Sequence, residues 1–261
     1  MKLPLLLSTY LAVLFFSWTA EAKTMVVYLH GAGSNARDGQ TILNDLLIAG
    51  LPQNHPEVVT FVSIDAAEIA APGLWVNIPP TAAEMALFTA QVGTNVSLLA
   101  TWFSDPMTHF ANNHATLAAM FGKYHSTVDQ WLLPYVSKLN ALIDHKLAAA
   151  GIEHRNLILA GHSMGAIMAH ATATQRSIPC LALVSLRGFF YPWENPKSIP
   201  EHVFAVSATN DQSIPHALYQ HSKSCCSFKD FQEKIDAKGH GIFGEDVEWL
   251  KEKLIPIILE L

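Results

Sequence analysis

Basic clusters are missing from this chain. It carries 16 Lys and Arg against 22 Asp and Glu, a formal net charge of -6, with no concentrated cationic run. A protein that holds a polyanion needs a basic surface to release condensed counterions, so nucleic acid is excluded as a partner. Charge of either sign is scarce as well: 15% of residues are charged and 50% are hydrophobic, which excludes a chain disordered by composition. Cysteine is limited to Cys180, Cys225 and Cys226, and the absence of CxxC spacing argues against a zinc ribbon or a thioredoxin-like redox site. In an oxidising compartment these three allow one disulfide, and ring strain between neighbours makes Cys180 with Cys225 or Cys226 the expected pair. No HExxH occurs, and His109 and His114 are spaced wrongly for two ligands on one helical face, so no metal is expected. Internal repeats and low-complexity tracts are absent too.

What is there suits one large domain with a substantial core in 261 residues. Residues 1–22 have the pattern of a cleaved leader. Met1-Lys2 gives a positive start, Leu3 to Trp18 is almost wholly apolar, and Ala20-Glu21-Ala22 puts small residues where a signal peptidase cuts. The apolar run is short for a bilayer span of roughly 20 residues, so the mature chain, 23–261, is expected to lack a membrane span and to leave the cytosol. Asn95-Val96-Ser97 is a glycosylation sequon, meaningful where the source glycosylates.

Short apolar runs recur along the chain: 25–29, 58–64, 156–160, 181–186 and 203–207. Strands buried on both faces lose polar alternation and read this way. Helical spacing fills most gaps, at 41–49, most strongly at 128–149, and at 245–261. In the strongest, Leu132, Val136, Leu139, Ile143 and Leu147 recur every three or four residues, and Gly151 stands where a left-handed cap belongs. The alternation predicts an α/β fold: a doubly wound, mostly parallel sheet of about six strands. Residues 66–126 break the pattern. They are poor in charge and hold Trp75, Phe88, Trp102, Phe103, Phe110 and Phe121, so a helical cap over an apolar pocket is expected there.

The most informative stretch is Gly161-His162-Ser163-Met164-Gly165, between a predicted strand and a helix-compatible run. A serine in a very tight strand-to-helix turn is pushed outward, and glycines two residues either side remove side chains that would collide. The Met164 N–H then opens a helix, where donors are unpaired and the dipole favours an anion. A serine hydroxyl needs a base, and His240, in Gly239-His240-Gly241 after the run 228–235, has the right chain order. Asp211 after the run 203–207 is the expected acid, with Asp236 in reserve; its part would be to hold the imidazole tautomer. His30-Gly31-Ala32-Gly33 is expected to supply a second N–H to a developing oxyanion, from Ala32 first and Gly33 next.

Leu29-His30-Gly31, Gly161-His162-Ser163-Met164-Gly165, Asn210-Asp211 with Ile214-Pro215, and Gly239-His240-Gly241 before a final helix resemble the phospholipase/carboxylesterase branch of the α/β-hydrolases, which includes acyl-protein thioesterases. The resemblance covers about 23–65 and 128–261. It implies a cofactor-free hydrolase of carboxylic esters or thioesters acting on a small-molecule or lipid-like substrate. Members of that branch are commonly cytosolic, unlike a chain with a leader, and 66–126 matches no pattern that can be carried over. An apolar acyl ester is the expected substrate. A peptidase or thioesterase on the same residues, or a secreted binding protein without turnover, are the alternatives.

Overall fold

The computed structural model describes residues 23–39, 51, 58–70, 75 and 125–261. The leader expected at 1–22, the helix expected at 41–49, the sequon and most of 66–126 lie outside them. Among the described residues, β1 (Thr24–Leu29), β2 (Val59–Ile64), β3 (Leu157–His162), β4 (Ala182–Leu186), β5 (His202–Ala208) and β6 (Asp230–Asp236) form one sheet in the order β2-β1-β3-β4-β5-β6. Every neighbouring pair is parallel. The helices are α1 (Ala36–Gly39), α2 (His125–Ala150), α3 (Met164–Thr174), α4 (His216–Ser224) and α5 (Gly244–Leu259). The α/β architecture expected from the alternating runs is the one observed.

Both sheet faces are apolar because successive strand side chains point to opposite sides. Met25, Val27, Leu29, Leu157, Leu159 and Leu183 meet α2, α3 and α4 on one face. Val26, Tyr28, Ile158, Val184, Phe204 and Val206 meet Leu250, Leu254 and Ile258 of α5 on the other. Each large side chain so enclosed contributes roughly 1.5–3 kcal/mol. The five apolar positions expected on α2 are all buried. That helix ends as expected: Gly151 has φ +68°, and the Ile152 N–H reaches back to the Leu147 carbonyl at 3.0 Å. No helix among the described residues is long and apolar enough to cross a membrane.

The expected disulfide is not formed. The three cysteines are free: Cys180 is enclosed in the core before β4, while Cys225 is exposed at the end of α4 with Cys226 next to it. Trp75 is the one aromatic residue of those expected in the cap that is among the described residues. It is fully buried beneath the end of β1, and its indole N–H donates to the His30 carbonyl at 2.7 Å.

α3 lies so deep that nine of its eleven residues are buried, His170 among them. Its Nδ1 has no hydrogen-bond partner among the described residues. Burial pushes the imidazole pKa down to about 3, against an opposing backbone hydrogen bond at Tyr191. Unfolded, the same ring takes a proton near pH 6.5. Between those values the unfolded state binds more protons, so stability should fall as pH drops from 6.5 towards 3. The expected slope from this one group is about 1 kcal/mol per pH unit. Urea unfolding at pH 7 and pH 5 measures it, and His170→Leu should flatten the difference.

Candidate active site

A parallel sheet brings every strand's C-terminal end to one edge, where ligands of such sheets bind. His30 follows β1, Ser163 follows β3, Asp211 lies beyond β5 and His240 beyond β6. Only Ser163 separates β3 from α3, and its backbone sits at φ 54°, ψ -124°. A non-glycine residue held there costs roughly 1–3 kcal/mol and persists only where its surroundings enforce it. The Ser163 N–H donates to the Leu186 carbonyl at 2.8 Å, and its carbonyl accepts from the N–H groups of Ala166 and Ile167 at 3.0 and 3.2 Å.

The two glycines do different work. A methyl group on Gly161 would overlap the backbone of Gly165, which is the strand–helix collision expected from the sequence. A methyl group on Gly165 would instead overlap the Leu29 and His30 carbonyls, so that glycine makes room for β1.

Ser163, Asp211 and His240, far apart in sequence, come together. His240 Nε2 lies 2.7 Å from Ser163 Oγ, and His240 Nδ1 lies 2.8 Å from Asp211 Oδ2. The other oxygen, Asp211 Oδ1, accepts the N–H groups of Ser213 and Ile214, both at 2.9 Å. Burial alone would raise the Asp211 pKa. The hydrogen bond from His240, its charge and the two backbone N–H bonds outweigh that and hold the carboxyl below its ordinary value. An ionised carboxylate only accepts, so the His240 proton belongs on Nδ1. Nε2 is then left as the acceptor for the Ser163 hydroxyl.

Gly31 lies against this serine: an added Cβ would stand 3.3 Å from Ser163 Cβ and 3.0 Å from His162 Nδ1. The Ser34 N–H donates to the Gly31 carbonyl at 3.2 Å, and Gly33 has φ +74°, the mark of a tight turn. That turn's own hydrogen bond uses neither the Ala32 nor the Gly33 N–H. His30 fixes the turn's origin. Its Nε2 accepts the Ala66 N–H at 3.0 Å, and its Nδ1 is 2.8 Å from the Gly31 carbonyl. Met164 opens α3, so its N–H has no acceptor within the helix.

Asp236, the reserve acid, is engaged elsewhere: Arg187 takes both of its carboxylate oxygens, at 3.0 and 2.7 Å. Two residues without a sequence signal also reach the site. His162 donates from Nε2 to the His240 carbonyl at 2.7 Å, and Arg187 Nε donates to the Gly241 carbonyl at 3.2 Å. His162 occupies the variable position of its motif, and nothing local marks Arg187. Among the described residues, no group of three or more His, Cys, Asp or Glu could hold a metal ion.

The profile of the phospholipase/carboxylesterase family matches residues 80–254. The match includes most of the segment 66–126, for which the motifs gave no correspondence, and omits β1 and the turn at Gly31. No curated protein matches the sequence. Among solved structures, the fold is similar to that of esterase PE8, at 18% identity and a TM-score of 0.60 over 90% of this chain and 93% of that one. The carboxylesterase of Bacillus cereus superposes with a TM-score of 0.59 at 14% identity over 91% of this chain and 90% of that one. Acyl-protein thioesterase 2 of Zea mays does so with a TM-score of 0.52 at 14% identity over 90% of this chain and 94% of that one.

Proposed function

Since the chain belongs to the phospholipase/carboxylesterase family of α/β-hydrolases, we propose that it is a serine hydrolase that cleaves carboxylic esters through an acyl-enzyme on Ser163. The observation that carries this reading is the relay of two short hydrogen bonds, Ser163 to His240 at 2.7 Å and His240 to Asp211 at 2.8 Å.

In the first half-reaction the hydroxyl proton passes to His240 Nε2 as Ser163 Oγ attacks the ester carbonyl carbon. Asp211 stabilises the imidazolium without taking its proton. The carbonyl oxygen becomes an oxyanion, received by the N–H groups of Met164 and Ala32. Such a donor is worth roughly 3–4 kcal/mol of transition-state stabilisation. The intermediate collapses as His240 returns the proton to the leaving alcohol. Water, deprotonated by the same base, then attacks the acyl-enzyme and releases the acid. No step calls for a cofactor.

An apolar acyl group is the proposed substrate half, supported by the aromatic-rich, charge-poor composition of 66–126. The leader-like residues 1–22 support export. Outside the cytosol activated thioesters are scarce, which favours oxygen esters. The test pairs fluorophosphonate labelling with p-nitrophenyl esters from acetate to palmitate, a matched thioester and a matched anilide. Labelling and ester turnover that rises with chain length are expected, with the anilide far slower. A preference for the thioester would reassign the substrate class. No labelling and no turnover of any member would overturn the reading.

A further inference from the structure

The loop that carries His240, between β6 and α5, is tied down by a side chain with no place in the chemistry above. Arg187 directly follows β4 and has φ 53°, the left-handed region that a side-chain-bearing residue seldom occupies. Its side chain is fully buried. Four of its N–H groups find acceptors around this one loop. Two go to the Asp236 carboxylate at the loop's start. A third goes to Asp246 Oδ2 at 2.9 Å, just past the loop's end. The fourth goes to the carbonyl of Gly241, the residue after His240, at 3.2 Å.

The carboxylates extend the grip. Asp236 Oδ1 accepts the Lys238 N–H at 2.8 Å, and Asp246 Oδ2 accepts the Phe243 N–H at 3.1 Å. Lys234 donates to Asp246 Oδ1 at 2.9 Å, so two cations and two carboxylates balance. A lysine at 187 would bring a point charge in place of the planar fork that serves three acceptors in three directions.

We infer that Arg187 is a positioning residue that holds His240 within proton-transfer reach of Ser163 by clamping both ends and the middle of the β6–α5 loop. The inference rests on His240 being the base. Arg187 touches no reacting atom, so its effect must pass through the imidazole.

That dependence sets the experiment. Ester turnover per mole of folded protein is measured for wild type, Arg187→Lys, His240→Ala and the double variant, with folding checked by near-ultraviolet circular dichroism. Displacing a reacting group by about 1 Å costs about 100-fold. In the wild-type background Arg187→Lys should therefore lower kcat about 100-fold, with KM within about twofold. In the His240→Ala background it should change kcat by less than about twofold, because the group it positions is gone. An equal loss in both backgrounds, or no loss in either, overturns the inference. A His240→Ala variant that keeps full activity overturns the base assignment instead. If Arg187→Lys does not fold, Asp246→Asn, nearly isosteric, takes its place with the same comparison and the same overturning results.

Discussion

Ser163→Ala should abolish ester turnover, with a loss on the order of 10⁴- to 10⁶-fold in kcat, and should remove fluorophosphonate labelling altogether. The size follows from the loss of the proposed nucleophile itself. Without Oγ no acyl-enzyme forms, and what remains is attack by water helped by the oxyanion donors and by substrate binding. The fold should survive. The bonds that hold the strained backbone at 163 come from its own N–H and carbonyl, which alanine retains. Among the described residues the hydroxyl's hydrogen-bond partner is His240. A thermal midpoint close to wild type with no turnover is therefore the expected pair of results. Turnover at the wild-type rate would remove Ser163 from the chemistry.

Asp211→Asn should lower kcat about 10⁴-fold although the change is nearly isosteric. The reason lies in how the carboxylate is held. Oδ1 accepts two backbone N–H groups, from Ser213 and Ile214, so an asparagine there must keep its oxygen on that side. Its NH₂ group then faces His240 Nδ1, where Oδ2 now stands. Nδ1 must become the acceptor, and the imidazole proton moves to Nε2. That nitrogen would then donate towards Ser163 Oγ instead of taking its proton. The measurement is kcat against pH for both proteins, with labelling rate as a second reading. Activity within tenfold of wild type would show that Asp211 does not set the tautomer. Asp236→Asn would act by another route: its carboxylate faces Arg187, so it would loosen the loop clamp and leave the tautomer alone.

Much of the frame was legible because its signals are local. A strand enclosed by helices on both sides shows as an unbroken apolar run, and all five such runs became strands of the sheet. β6 was less plain. Its run, Asp230 to Asp236, has only Phe231 and Ile235 as apolar residues, and none of its side chains is fully buried at this edge of the sheet. The Ser163 turn could be read because two glycines and a serine at fixed spacing leave little else for the chain to do. His240 followed from its order in the chain. The partners of Gly165, the carbonyls of β1, could not be read, because they lie more than 130 residues away in sequence.

The sequence by itself determined five of the six strands, the long helix before β3, the tight bend at Ser163 and the chain order of Ser163, Asp211 and His240. Each depends on spacing over a few residues or on position along the chain. Only the tertiary structure decided which of two aspartates, at the ends of neighbouring strands, faces the imidazole. Arg187, 49 residues before Asp236, binds one of them, and backbone N–H groups at Ser213 and Ile214 orient the other. Charge pairing acts through space between groups that the chain keeps far apart, so no local pattern could have recorded it.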